Sequence, residues 1–384
     1  MDIEKRIRAE LAALEAQAQI RRLEPVRGIN LISNDYLGLA ADPRLKQAVL
    51  EAVQAAPRMA STGSRLLSGH DDAWDALERD FARWICAEAA LYFTSGYSAN
   101  LGLLSALLRP EDVVFSDSAN HASLIDGMRL SKCPRVVFPH LDLSALEDEL
   151  RRHRASSGAR FIVVESIFSM EGDRAPLSDL QGLATRYGAA LIVDEAHATG
   201  VRGPNGRGCV AEAGLSGSVF ATVHTCGKAL AAAGAFVCGS HSLRQFLINR
   251  ARPFIFNTAL PPYFAAQVAT GMRLASAAES ERAQLHVLSD FLLNELRASG
   301  FDTAASNSQI VPVILGANDA ALSFAAHLQA RGYGARAIRP PSVPPRTARL
   351  RLSVTAEHSQ PQLAEFVAAL CEIRMEHSPA HAAP

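Results

Sequence analysis

The sequence has little with which to staple, anchor or steer a chain. Its six cysteines (Cys86, Cys133, Cys209, Cys226, Cys238 and Cys371) form no C-x-x-C pair and no zinc-type spacing. That excludes a disulfide-framed secreted scaffold and a zinc ribbon, and reads as reduced thiols. Lys and Arg total 38 against 39 Asp and Glu, a net charge of -1, so no overall field draws the chain onto nucleic acid. The longest apolar stretch, around Ala229 to Gly239, falls far short of the roughly 20 residues that span a bilayer. Met1 to Arg6 lacks the apolar segment of a secretory signal, so a cytoplasmic protein is expected. There is no internal repeat and no low-complexity linker. Aromatics are only 6%.

What is present is an ordinary globular composition, 384 residues with 48% hydrophobic and 20% charged, long enough for one large domain with a smaller appendage. Ile3, Ile7, Leu11 and Leu14 recur at helical spacing among charges and predict an amphipathic helix that needs a surface to lie on. A short strand from Asn30 runs into a turn, and Asp42-Pro43 opens a helix with proline at its first position. Residues 71–85 carry Trp74, Leu77, Phe81 and Trp84 on one helical face.

From residue 90 onward, short apolar runs at 90–94, 112–115, 135–138, 161–164, 190–193 and 220–223 alternate with helical patterns. Runs without polar alternation are what strands buried on both faces produce, so a mostly parallel α/β sheet is expected. Beyond about residue 280 the pattern changes to helix 280–299, strand 309–315, helix 319–331, strand 349–354 and a helix from Gln360. The expected organisation is an N-terminal helix and arm over 1–45, a large α/β domain over 46–280 and a small α+β domain over 281–376. The tail 377–384, rich in Pro and Ala, is expected to be disordered.

In such sheets ligands bind beyond the carboxyl ends of strands, and four places carry polar residues there. Thr94 to Asn100 joins a strand to a helix start, either a simple cap or an anion site. Asp194-Glu195-Ala196-His197 offers a carboxylate and an imidazole, open to readings as a flat-ligand site, metal ligands or a buried ion pair. In Val223 to Ala229, Lys228 is no Walker lysine, because Thr222 and Ala229 stand where Gly and Ser or Thr are required. It is either a solvated lysine or, among apolar neighbours, an imine-forming nucleophile. His121 could stack on a planar ring or bond internally. Together these parts suit pyridoxal 5′-phosphate (PLP), with an amine to bond it, a carboxylate for its ring nitrogen and a helix start for its phosphate. A nicotinamide oxidoreductase would place G-x-G-x-x-G after its first strand, and Gly203 to Gly208 fails that context.

On these residues, together with Ser33 to Gly38, Thr62 to Gly69 and Ala337 to Pro344 followed by Thr347 to Leu352, the chain resembles the α-oxoamine synthases. These are fold type I PLP enzymes that join an amino acid to an acyl thioester with loss of carbon dioxide. The late stretch resembles the branch that condenses L-alanine with a pimeloyl thioester, carried on coenzyme A or acyl carrier protein. The alternative branches use glycine, to make 5-aminolevulinate or to accept an acetyl group. The resemblance implies that Lys228 bonds the cofactor, Asp194 pairs with its ring nitrogen, His197 contacts its hydroxyl and His121 stacks on its face. It also implies that Gly96, Tyr97 and Thr225 hold the phosphate, that Thr258 reaches it from the second subunit of a homodimer, and that Ser169 lies nearby. Arg351 would grip the amino-acid carboxylate, and Arg21 and Ser342 would contact substrate, Arg21 at the distal carboxylate. No metal is implied. Arg339, Arg346 and Arg349 are hints of a rim for an acidic carrier, or else a solvated face. Departures from the family pattern are Glu195, Ala198, Ser342, Pro345-Arg346 and a short Pro25 to Asn30 stretch.

Overall fold

The computed structural model describes residues 2–376; the expectation for the tail 377–384 lies outside the described residues. The chain divides into two compact units, one of residues 34–169 and 174–283, the other of 1–33, 170–173 and 284–384. The first 33 residues therefore group with the C-terminal third, and residues 34–45 with the larger unit. Among the described residues no helix is long and apolar enough to cross a membrane.

After a two-residue strand β1 (Ile29–Asn30), seven strands build the sheet of the larger unit: β2 (Ala89–Phe93), β3 (Val113–Asp117), β4 (Arg135–Phe138), β5 (Arg160–Glu165), β6 (Ala189–Asp194), β7 (Ala221–Thr225) and β8 (Ala235–Gly239). Their order is β2-β8-β7-β6-β5-β3-β4. All pairs from β7 to β4 are parallel, while β8 is antiparallel to both β2 and β7. Two reversals cancel, so β2 points the same way as the parallel strands. The carboxyl ends of β2, β3, β5, β6 and β7 thus share one edge.

The apolar runs form strands because helices cover both faces. On one face Leu91, Phe93, Leu103, Leu104, Val163, Ile192 and Val237 pack in one buried cluster. On the other, the helix Asp72–Ile85 stacks Phe81 on Phe236 at 3.8 Å and Trp74 on Tyr92 at 4.6 Å between ring centroids. Each such buried aromatic contributes roughly 1.5–3 kcal/mol. Asp71 caps that helix through the Ala73 amide at 3.0 Å, and Cys86 ends it in the left-handed conformation.

The smaller unit holds β9 (Ile310–Gly316), β10 (Tyr333–Gly334), β11 (Ala337–Ile338) and β12 (Ala348–Ser353). Its antiparallel sheet runs β11-β12-β9, and β1 pairs in parallel with β10. Arg346, in the turn before β12, has φ 66, a backbone that favours residues without a bulky Cβ. That is the physical cost of Pro345-Arg346 in place of a small-residue turn. The helix Ile3–Ala16 forms as its periodicity predicts, but Ile3, Ile7, Leu11 and Leu14 stay exposed, so the stripe has no surface beneath it among the described residues.

Candidate active site

Asp194 ends β6, in register with Glu165 of β5 and Val223 of β7. Its carboxylate is buried, with Oδ2 accepting from Asn100 Nδ2 at 2.7 Å and Oδ1 from the Ala196 amide at 2.8 Å. Three residues on, buried His197 reaches Lys228 Nζ through Nε2 at 2.8 Å and the Tyr36 hydroxyl through Nδ1 at 2.7 Å. The Tyr36 hydroxyl donates to Asn34 Oδ1 at 3.0 Å. Its oxygen therefore accepts from His197 Nδ1–H, which leaves Nε2 to accept from the lysine; the network assigns this tautomer.

His121 follows β3 and caps the helix Ala122–Ser131. The residue is exposed overall, yet desolvation by surrounding protein holds its pKa below the ordinary histidine value, with Asp194 opposing and Lys228 adding to the shift. These charges act on one another because strand order brings three strand ends together.

The helix Gly96–Leu107 follows β2. Ser95 and Ser98 form a capping box that takes the Ser98 amide. Among the described residues the Gly96 and Tyr97 amides have no partner, so they can serve an anion together with the helix dipole. A Cβ at position 96 would lie 2.5 Å from Thr225 Cγ2, so any side chain there must displace that methyl. Thr225 Oγ1 donates to the Ala196 carbonyl at 3.2 Å. The Tyr97 hydroxyl bonds Asp126, which raises its pKa. Ser169 is buried behind β5, its amide donating to Glu165 Oε2 at 3.2 Å. Thr258 is exposed.

In the smaller unit, Arg21 and Ser342 meet, with Arg21 donating to Ser342 Oγ at 3.4 Å. Arg351 on β12 is 7% exposed and bonds Ser353 Oγ. The arginine rim is corrected in two of three places. Arg349 is buried and paired with Glu171 at 3.3 Å, and Arg339 donates to the Ala18 and Ile20 carbonyls, so only Arg346 is exposed. Neither of the other two guanidiniums is free to meet an acidic partner.

Sequence reasoning gave no role to Asn34, Tyr36, Asn100 or Ser123, which hold the site residues. Nor did it see what fixes Glu195. That buried carboxylate accepts from Ser166 Oγ at 2.8 Å and from the Cys209 and Val210 amides at 3.0 and 2.6 Å. Burial pushes its pKa up to about 7, against the pull of those three donors.

A lysine amine, a buried carboxylate on the same sheet edge, a solvent-accessible histidine and an unspent helix start fit PLP and define a PLP-dependent transferase of fold type I. The chain belongs to the family described as aminotransferase class I and II, which it matches over residues 26–370, and within that family to the α-oxoamine synthases. It is 44% identical to the 8-amino-7-oxononanoate synthase of Anaeromyxobacter dehalogenans, over 97% of this chain and 96% of that one. The S. paucimobilis serine palmitoyltransferase, solved with PLP and myriocin bound, superposes with TM-score 0.89 at 30% identity, covering 96% of this chain and 97% of that one. An 8-amino-7-oxononanoate synthase from Francisella tularensis superposes with TM-score 0.79 at 28% identity, covering 91% of this chain and 99% of that one.

Proposed function

We propose that this protein condenses L-alanine with a pimeloyl thioester, releasing carbon dioxide and the carrier thiol and leaving 8-amino-7-oxononanoate. The observation that carries the reading is the Lys228–His197–Tyr36 chain beside the Asp194–Asn100 pair, at one sheet edge of a chain whose full-length relatives bear that name. When bound, PLP supplies a sink for the electron pair left on the amino-acid α-carbon after a proton or carbon dioxide departs.

Lys228 Nζ would be the atom that holds the cofactor, and as a free amine it would accept the α-proton of alanine. His197 Nε2, within hydrogen-bond reach, orients the amine. Asp194, kept as an acceptor by Asn100 and the Ala196 amide, stabilises a cationic ring nitrogen. The Gly96 and Tyr97 amides would hold the phosphate, joined by Thr225 Oγ1 once its proton turns from the Ala196 carbonyl, and His121 and Ser169 would line the cofactor. The Arg351 guanidinium offers a planar fork to the alanine carboxylate, and the Arg21–Ser342 pair offers charge and hydroxyl to the distal carboxylate of the acyl chain.

The active form is a homodimer in which Thr258 contributes to the neighbouring site. Supporting this, Leu67 and Phe256 are 82% and 72% exposed on two loops tied together by the Ala259 amide on the Gly63 carbonyl at 2.9 Å, and Thr258 belongs to the same loop as Phe256. Large apolar side chains exposed to this degree on adjoining loops are what a second subunit would cover. We place the reaction in the cytoplasm, supported by six cysteines without a disulfide.

The test is a turnover screen pairing alanine, glycine and serine with pimeloyl, succinyl, acetyl and palmitoyl thioesters on coenzyme A and on acyl carrier protein. Alanine with pimeloyl should dominate. Preference for glycine, or for serine with palmitoyl, would overturn the substrate assignment while leaving the family intact.

A further inference from the structure

A continuous buried path joins Asp194 to His121 through two side chains that do not themselves reach the reacting groups. Asn100, on the helix Gly96–Leu107, places Nδ2 at 2.7 Å from Asp194 Oδ2 and 2.9 Å from Ser123 Oγ. Ser123 places Oγ at 2.8 Å from His121 Nδ1, and its backbone amide points at the same nitrogen from 3.3 Å. Asn100 and Ser123 are 2% and 1% exposed, so no bulk water competes for these contacts.

The direction of the path follows from what each atom can do. An ionised carboxylate only accepts, so the nitrogen of the Asn100 amide must face Asp194. Both N–H bonds of that nitrogen are then committed, one to Asp194 and one to Ser123 Oγ. With a lone pair so occupied, the Ser123 hydroxyl has its own proton left for His121 Nδ1. That ring nitrogen also faces a backbone N–H and so can only be an acceptor. The ring proton must therefore sit on Nε2. The remaining Asn100 atom, Oδ1, is buried with no partner among the described residues, so the amide is held in place there by donation alone. Burial that disfavours imidazolium agrees with a neutral ring.

We propose that Asn100 and Ser123 are positioning residues that hold the Asp194 carboxylate and, through the same donor chain, lock His121 in the neutral Nε2–H tautomer. His121 then presents a hydrogen-bond donor, not an acceptor, to an oxygen atom of bound substrate. The inference rests on the cofactor reading above, and one residue thereby sets both the ring-nitrogen partner and the proton position of the stacking imidazole.

The test uses holoenzyme labelled with 15N-histidine, the His121 resonances being those lost in His121→Gln. In the wild type Nδ1 should be unprotonated and hydrogen-bonded and Nε2 protonated. Ser123→Ala should shift the Nδ1 resonance toward a free acceptor or a mixed tautomer, with PLP affinity within about twofold of wild type. Asn100→Leu, which conserves volume but removes both donors, should shift that resonance and also weaken PLP binding about tenfold or more, because Asp194 loses a hydrogen bond to its charge. A wild-type ring protonated at Nδ1, or an Asn100→Leu protein with unchanged resonance and affinity, would overturn the proposal. If Asn100→Leu does not fold, the wild-type tautomer and Ser123→Ala still decide it. None of these readouts needs turnover, so a protein that binds PLP with the stated tautomer but does not condense alanine would count against the substrate assignment alone.

Discussion

Gly96→Ala isolates the phosphate end of the site. The added methyl would sit 2.5 Å from Thr225 Cγ2, and the only other atom within 4 Å is Thr225 Cβ at 3.7 Å. Ordinary contact begins near 3.4 Å, so the added methyl and the Thr225 methyl must move apart by about 0.9 Å, the difference of those two distances. Overpacking of this kind costs about 1–3 kcal/mol, which corresponds to a loss of roughly 5- to 150-fold in PLP affinity when it falls on the bound state. Thr225→Ser deletes the colliding methyl and keeps the hydroxyl, so it should be nearly neutral alone. Combined with Gly96→Ala it should restore most of the lost affinity. Equilibrium dialysis followed by visible absorbance of the bound cofactor reads all four proteins of the cycle. Additive losses in the double variant, or a Gly96→Ala protein that binds PLP like wild type, would refute the steric account and with it the placement of an anion at this helix start.

Asp194→Asn keeps the shape that Asn100 grips but removes the charge. PLP should still bind, while deuterium exchange into alanine in heavy water, followed by NMR, falls about hundredfold; an unchanged exchange rate contradicts the role. Arg351→Lys should raise the alanine KM about tenfold with a smaller change in kcat, since an ammonium cannot form the planar fork. An unchanged KM would remove Arg351 from the substrate site. For Glu195, a folded pKa raised from the usual 4.5 to about 7 means that its contribution to stability is fully present below pH 4.5 and lost as pH rises through 7. The stability of wild type relative to Glu195→Gln, from urea unfolding, should therefore fall by about 3 kcal/mol across that window. A flat difference would mean that Glu195 stays ionised throughout.

The strands that carry the site were legible because crossover helices bury both their faces, which leaves unbroken apolar runs with polar residues at their ends: Asp194 after 190–193 and His121 beyond 112–115. β8 was not, because it lies inside the small-residue stretch 229–239, where no polar break marks its start. Its insertion between β2 and β7 is a long-range choice. The same limit hid the supports. Asn100 and Asp194 are 94 positions apart and meet only because of strand order, so no local pattern could pair them. Tyr36 stood inside a motif quoted for its likeness, but its partner His197 is 161 positions away. The stripe on the N-terminal helix predicted that helix but not what it lies on, since periodicity reports amphipathicity and not what covers it.

The chemistry of the site depends on which nitrogen bonds the cofactor. Reducing the yellow holoenzyme with borohydride, digesting it and mapping the modified peptide should place the pyridoxyl group on Lys228 at close to one per chain. A label on another lysine, or a protein that takes up no PLP to be reduced, would contradict it.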